Sequence, residues 1–139
     1  VVITAAMLVA FFAISSASLA SMVAGIYSDV IPGWIALPAV PIMMMLLSVI
    51  GIHPVITSTT LLALFSGGGA DVHPALLVQA HLVGWGAGTM SSVASLSVLS
   101  CATLYRVPTR QLVFGANIIS GLGYAVVGGV SLALINMLI

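Results

Sequence analysis

The 139-residue chain is 62% apolar and only 3% charged, with Asp29, Asp71, Arg106 and Arg110 as its whole ionised set and a net charge of zero. A soluble domain is ~25% charged. With a mean hydropathy of +1.37, the shortfall excludes a solvated globular surface, a nucleic-acid-binding face and a disordered segment, and the solvent it implies is a lipid bilayer.

The charges leave uncharged runs of 28, 41, 34 and 29 residues: Val1 to Ser28, Val30 to Ala70, Val72 to Tyr105 and Gln111 to Ile139. Roughly 20 apolar helical residues cross a hydrocarbon core about 30 Å thick, so each run is long enough to span. As one helix the second run would be about 60 Å long, so it is expected to turn back or break within the membrane. No basic n-region precedes the first run, which argues against a cleavable signal. The first residue is Val, and the expectation is a single membrane domain over 1–139 that forms one repeat, or the C-terminal part, of a larger protein.

The first segment, Val1 to about Gly25, reads as an apolar helix whose small residues Ser15, Ser16, Ala17, Ser18, Ala20 and Ser21 form a face for close helix packing. Tyr27 and Trp34 flank Asp29 as aromatic residues do at a membrane interface, and Pro32-Gly33 fits a turn. The second segment, Trp34 to about Ile50, carries Pro38 and Pro41, which remove two backbone donors and are expected to kink or open its first turns. Gly51-Ile52-His53-Pro54 and Val55-Ile56-Thr57-Ser58-Thr59-Thr60 follow. The apolar stretch Leu61 to Phe65 is too short to cross, and it ends in Ser66-Gly67-Gly68-Gly69-Ala70-Asp71. Two apolar arms joined by a polar break predict a re-entrant helical hairpin.

The third segment starts after His73-Pro74 and runs to about Tyr105. Its middle holds Gly84, Gly86 and Gly88 and then Thr89, Ser91, Ser92 and Ser95, a pattern that predicts an unwound stretch over Gly86 to Ser95. The fourth, Leu112 to Ile139, reads as a plain span with Gly115, Gly121, Gly123, Gly128 and Gly129 as packing positions. The fold class expected is therefore all-α: a polytopic membrane protein with one re-entrant hairpin and one broken transmembrane helix. Arg106 and Arg110 share one short loop, which the positive-inside rule places in the cytoplasm. Asp71 then lies outside and, with a hairpin between, so does Asp29.

Non-helical backbone survives in lipid only where protein or a water-filled cavity satisfies it. Two such places are expected at mid-depth, Thr57 to Thr60 and Gly86 to Ser95. Exposed amides and hydroxyls suit an anion, and unwound carbonyls and helix C-terminal ends suit Na⁺. Thr57, Ser58, Thr59 and Thr60 on one side and Thr89, Ser91, Ser92 and Ser95 on the other are the candidate substrate- and ion-binding residues. The plainer alternative is that each hydroxyl bonds back to its own helix and each glycine packs helices.

Hairpin arm, hydroxyl tip, short arm, a His73-Pro74-Ala75-Leu76-Leu77 opening, a helix broken by small polar residues, an arginine loop and a last span come in an order that resembles the C-terminal repeat of the ion transporter superfamily. That family includes the divalent-anion/sodium symporters and the arsenite-type permeases. Its hairpin-tip Ser-Asn-Thr corresponds to Ser58-Thr59-Thr60, and its Thr-Pro-Pro-Asn motif falls near Met90 to Ser95. Here Thr59 replaces the asparagine, and Ser91-Ser92-Val93-Ala94 stands where prolines and an asparagine would be; hydroxyls donate and accept more weakly than amides. The resemblance covers the layout of nearly the whole chain and little identity. It implies a site completed by a second transporter half or another copy.

His53 and His73 each precede a proline at the start of an element, which fits a helix-boundary role. His81 lies two turns into the third segment, where an ionisable group suggests function, and it is a candidate proton relay; the alternative is a neutral ring bonded to a nearby carbonyl. No two histidines are spaced i, i+4, so no metal site is expected. Cys101 is a lone apolar-run thiol that reads as packing. Ser91 and His81 are about 15 Å apart along a helix, too far for nucleophile and base, so an enzyme is not expected. The function expected is secondary transport of a small anionic solute, such as a carboxylate, in a prokaryotic inner membrane. Na⁺ or H⁺ would couple it, with no other cofactor and no nucleic acid. The alternative is a non-transporting helical assembly subunit.

Overall fold

The computed structural model describes residues 31–65, 70–93 and 95–139. The expected first span and the run Gly67-Gly68-Gly69 lie outside them. The described chain is mostly helical, with one two-residue strand pair. β1 (Ile31–Pro32) is followed by α1 (Gly33–Val49), α2 (Pro54–Leu64), β2 (Ala70–Asp71), α3 (Pro74–Ser91), α4 (Leu96–Tyr105), α5 (Thr109–Leu112), a π-helical turn (Val113–Asn117) and α6 (Ile118–Asn136).

β1 pairs with β2 in parallel, Ile31 opposite Ala70 and Pro32 opposite Asp71, so α1 and α3 start side by side and run the same way. At that end Asn136, the last residue of α6, closes the bundle. Its Nδ2 donates to the Asp71 carbonyl at 3.2 Å, and its Oδ1 accepts from the His73 amide at 2.9 Å. α6 therefore runs antiparallel to both. The core lies among α1, α3 and α6 and under α2, where Leu37, Val40, Met44, Leu61, Phe65, Leu76, Leu77, Ala80, Leu132 and Ala133 pack together; Met45, Ala87 and Ala125 form a second cluster nearer the middle.

Small residues set how closely these helices meet. A Cβ on Gly84 of α3 would lie 3.0 Å from Pro41 Cα, and one on Gly129 of α6 would lie 2.6 Å from Pro38 Cα and 3.3 Å from the Leu37 carbonyl oxygen. Each long helix thus lays a glycine on the two-proline turn of α1. Pro41 lacks the N–H that would bond the Leu37 carbonyl. The expected opening of this turn is not observed: α1 is helical throughout with both prolines inside it, held from two sides by the glycine contacts.

α1 ends in a Schellman motif. The Ile52 amide donates to the Leu47 carbonyl and the Gly51 amide to that of Ser48, each at 3.0 Å. Gly51 takes φ +93°, a conformation that costs a Cβ-bearing residue about 1–2 kcal/mol. His53 then caps α2 and Pro54 fills its first position. The hairpin turn is therefore Ile50–His53, and Ser58, Thr59 and Thr60 sit inside α2 rather than at a tip. The run Gly84 to Met90 is likewise helical, against expectation, because its glycines serve helix contacts. Among the described residues of this stretch the helix is interrupted at Ser92, Val93 and Ser95, with Ser92 and Ser95 both extended. The fourth segment is not plain, since the π turn with Gly115 off helical geometry kinks it near its start.

The stretches Pro74–Tyr105 (32 residues) and Thr109–Asn136 (28 residues) are long and apolar enough to cross a membrane. Their outward faces are apolar as well: Leu82 is 67% exposed, Leu96 80%, Ile119 74% and Val127 66%.

Candidate functional site

Four helix ends meet near the middle of the two long stretches. A Cβ on Gly88 of α3 would lie 2.7 Å from Ser48 Oγ, at the end of α1, and 3.3 Å from Pro54 Cγ, at the start of α2. A Cβ on Gly121 of α6 would run into Ser91 Oγ and lie 3.4 Å from the Ala87 carbonyl oxygen and 3.6 Å from Met45 Cε. The C-terminal ends of α1 and α3 and the N-terminal ends of α2 and α4 therefore share one level, beside Gly121. Each aligned helix carries roughly half a positive charge at its N-terminus and half a negative one at its C-terminus, so this level presents partial charges of both signs. Among the described residues no ionised side chain stands there: Asp71 is at the β1–β2 end, and Arg106 and Arg110 lie beyond α4.

The two N-terminal ends differ. At α2, Pro54 has no amide hydrogen, the Val55 amide donates to His53 Nδ1 at 3.3 Å, and the Ile56 amide donates to the His53 carbonyl at 3.0 Å. His53 alone thus closes that end. At α4 the N-cap is Ser95, which makes no capping bond; its hydroxyl donates to Ser97 Oγ at 3.2 Å. The imidazole of His53 lies edge-to-face with Trp85 of α3, centroids 6.0 Å apart and planes at 76°.

The candidate hydroxyls divide into two groups. Thr59 Oγ1 donates to the carbonyls of Val55 (2.9 Å) and Ile56 (3.0 Å), Thr60 Oγ1 to that of Ile56 (2.9 Å) and Thr89 Oγ1 to that of Gly86 (3.0 Å). These three are turned onto their own helices, as the plainer alternative has it. Ser48, which the sequence reading did not single out, does the same with Met44 at 2.8 Å. By contrast Thr57 Oγ1 and Ser91 Oγ are buried and find no hydrogen-bond partner among the described residues. An unmet buried hydroxyl costs about 1–3 kcal/mol, so these two mark where a polar occupant is worth most. Ser91 Oγ faces Gly121, which has no side chain to meet it. Ser92 is buried at the break, and Ser58 and Ser95 are half-buried.

His81 is buried one turn below Gly84, with Nδ1 2.8 Å from the Leu77 carbonyl. A carbonyl only accepts, so Nδ1 carries a hydrogen; Nε2, which in the neutral ring is then a lone pair, has no partner among the described residues. His81 lies about two turns before Gly88 on α3, so it is placed apart from the converging helix ends.

Histidine before proline was legible as a helix start at both His53 and His73, and both are N-caps. Trp85 and Asn136 carried no local signal of their roles, whereas Gly121 was legible as a packing position. Comparison with protein-family models, with curated proteins and with solved structures returned no match.

Proposed function

We propose that this chain is one half of a secondary transporter that carries a small anionic solute, such as a carboxylate, across a membrane, with Na⁺ or H⁺ as the coupling ion. The observation that supports this best is the meeting of four helix ends midway along two membrane-length stretches, with no ionised side chain beside them among the described residues. In hydrocarbon such ends are stable only when protein, water or a bound solute satisfies them. The hairpin α1–α2 then enters from the β1–β2 end and turns at mid-depth, and α3–α4 is a spanning helix broken at Ser92–Ser95. The open N-terminal end of α4 suits an anion. The C-terminal carbonyls of α3 with Ser91 Oγ suit Na⁺, a hard cation that takes oxygen donors, and the bare Nε2 of His81 is the alternative proton carrier. A second half, or another copy of the chain, encloses the solute from the side that this chain leaves open.

The test is uptake of labelled small carboxylates by the full-length protein in liposomes, with a Na⁺ or a proton gradient. Ser91→Ala is expected to lower uptake at least tenfold at unchanged membrane insertion; full uptake by that variant refutes the site. The competing reading is a non-transporting assembly subunit, favoured by the self-paired hydroxyls of Thr59, Thr60 and Thr89. It predicts no uptake of any anion under either gradient.

A further inference from the structure

The hairpin turn contains one ionisable side chain, and it has two partners. His53 Nδ1 accepts the Val55 amide at 3.3 Å while the same ring stands against Trp85 at 6.0 Å. An acceptor Nδ1 requires the neutral tautomer with its hydrogen on Nε2. An imidazolium has a hydrogen on both nitrogens and accepts nothing, and its charge is repelled by the positive end of the α2 macrodipole. The same charge is attracted to an indole face within about 6 Å. The ring that accepts from Val55 thus already stands against Trp85; protonation removes the first partner and strengthens the second.

We propose that His53 is a proton-released lid on the N-terminal end of α2: neutral, it closes that end through the Val55 amide; protonated, it gives up that bond, is held by Trp85 alone and leaves the amide open to the mid-depth cluster. Opened, the end offers an anion a backbone donor with a cation beside it. Only this last step, the anion, rests on the proposed function; the release does not.

Among the described residues the surroundings leave His53 as the group that switches there. α1 holds no titratable side chain. α3 presents His81, one turn below Trp85 and committed through Nδ1 to Leu77, and α6 presents Tyr124, which lies over Gly86. Asp71 and His73 are at the opposite end of α3, and Arg106 and Arg110 lie past α4.

The test uses the full chain in lipid nanodiscs, labelled with ¹⁵N-valine, with the Val55 amide assigned through Val55→Ile. Between about pH 8 and pH 5, where histidines ordinarily change charge, the Val55 resonance is expected to shift and its hydrogen exchange, corrected for pH, to quicken about tenfold. His53→Asn, whose side chain caps as well but does not titrate, is expected to hold the resonance still. His73→Gln and His81→Gln are expected to keep the original curve. In a Trp34→Phe background, the emission of Trp85 is expected to fall with pH through imidazolium quenching, and His53→Asn to abolish the fall. A Val55 amide that ignores pH, or that titrates equally in His53→Asn, overturns the proposal. Sulfate, whose charge is constant over this range, is the anion probe, and it is expected to act on the Val55 resonance at tenfold lower concentration at pH 5 than at pH 8. If the titration stands and sulfate never acts, the lid is upheld and the anion-carrier reading falls.

Discussion

Replacing Gly129 by alanine isolates the packing of α6 on the two-proline turn. The added methyl would sit 2.6 Å from Pro38 Cα, 3.2 Å from Pro41 Cγ and 3.3 Å from the Leu37 carbonyl oxygen, against ~3.5–4.0 Å for an ordinary carbon contact. Two of those neighbours are backbone and the third is a rigid ring, so relief requires α6 to back away by roughly 1 Å. Overpacking of this kind costs about 1–3 kcal/mol, while the glycine-to-alanine change itself favours the helix by about 0.5–1 kcal/mol. Gly123 of the same helix supplies the control, because a Cβ there meets nothing within 4 Å and only the helix gain remains. The propensity term cancels between the two variants. Gly129→Ala is therefore expected to be less stable than Gly123→Ala by about 1–3 kcal/mol, a factor of roughly 5 to 150 in the unfolding equilibrium. Unfolding of the detergent-solubilised protein by titration with a denaturing detergent, followed by circular dichroism, measures the difference. Equal midpoints would refute the close seating of α6 on α1.

Asn136→Ala removes both bonds that join the end of α6 to Asp71 and His73, and it is expected to cost about 1–2 kcal/mol and to speed hydrogen exchange at the His73 amide before any other in α3. Arg106 ends α4 at φ 54°, so Arg106→Gly should stabilise by about 1 kcal/mol where Gly51→Ala, at φ +93°, should destabilise by at least as much; thermal melts of the pair check the opposite signs. Thr59→Val and Thr60→Val delete hydroxyls that serve only their own helix, and both variants should retain uptake in the liposome assay under which Ser91→Ala loses it.

The all-α class and the two long apolar stretches were legible because so few charges leave little choice of solvent or of break points. The starts of α2 and α3 were legible too, since a polar residue before proline is a local signal with a local cause. The break was placed several residues early. Gly84, Gly86 and Gly88 read as helix breakers by propensity, but Met44, Tyr124 and Ser48 press against them, and tertiary contact overrides propensity. Thr59 and Thr60 read as a tip because a hydroxyl cluster looks the same whether its partner is a solute or the carbonyl one turn back. The Asn136 clamp joins residues 63 and 65 positions apart, and no window of sequence holds both sides of it.

The short parallel pairing at Ile31–Ala70 and Pro32–Asp71 fixes both ends of the hairpin at one place and leaves its turn without a covalent tie. The hairpin is in that sense a tongue with an anchored root, and α1, 17 residues and roughly 25 Å long, is its lever arm. A tilt of about 10° at the root would carry the turn roughly 4 Å, and the seats of Gly84 and Gly129 on the two-proline turn, part-way along the arm, are what resist it. Small rotations at the pinned end are thus multiplied where the four helix ends gather.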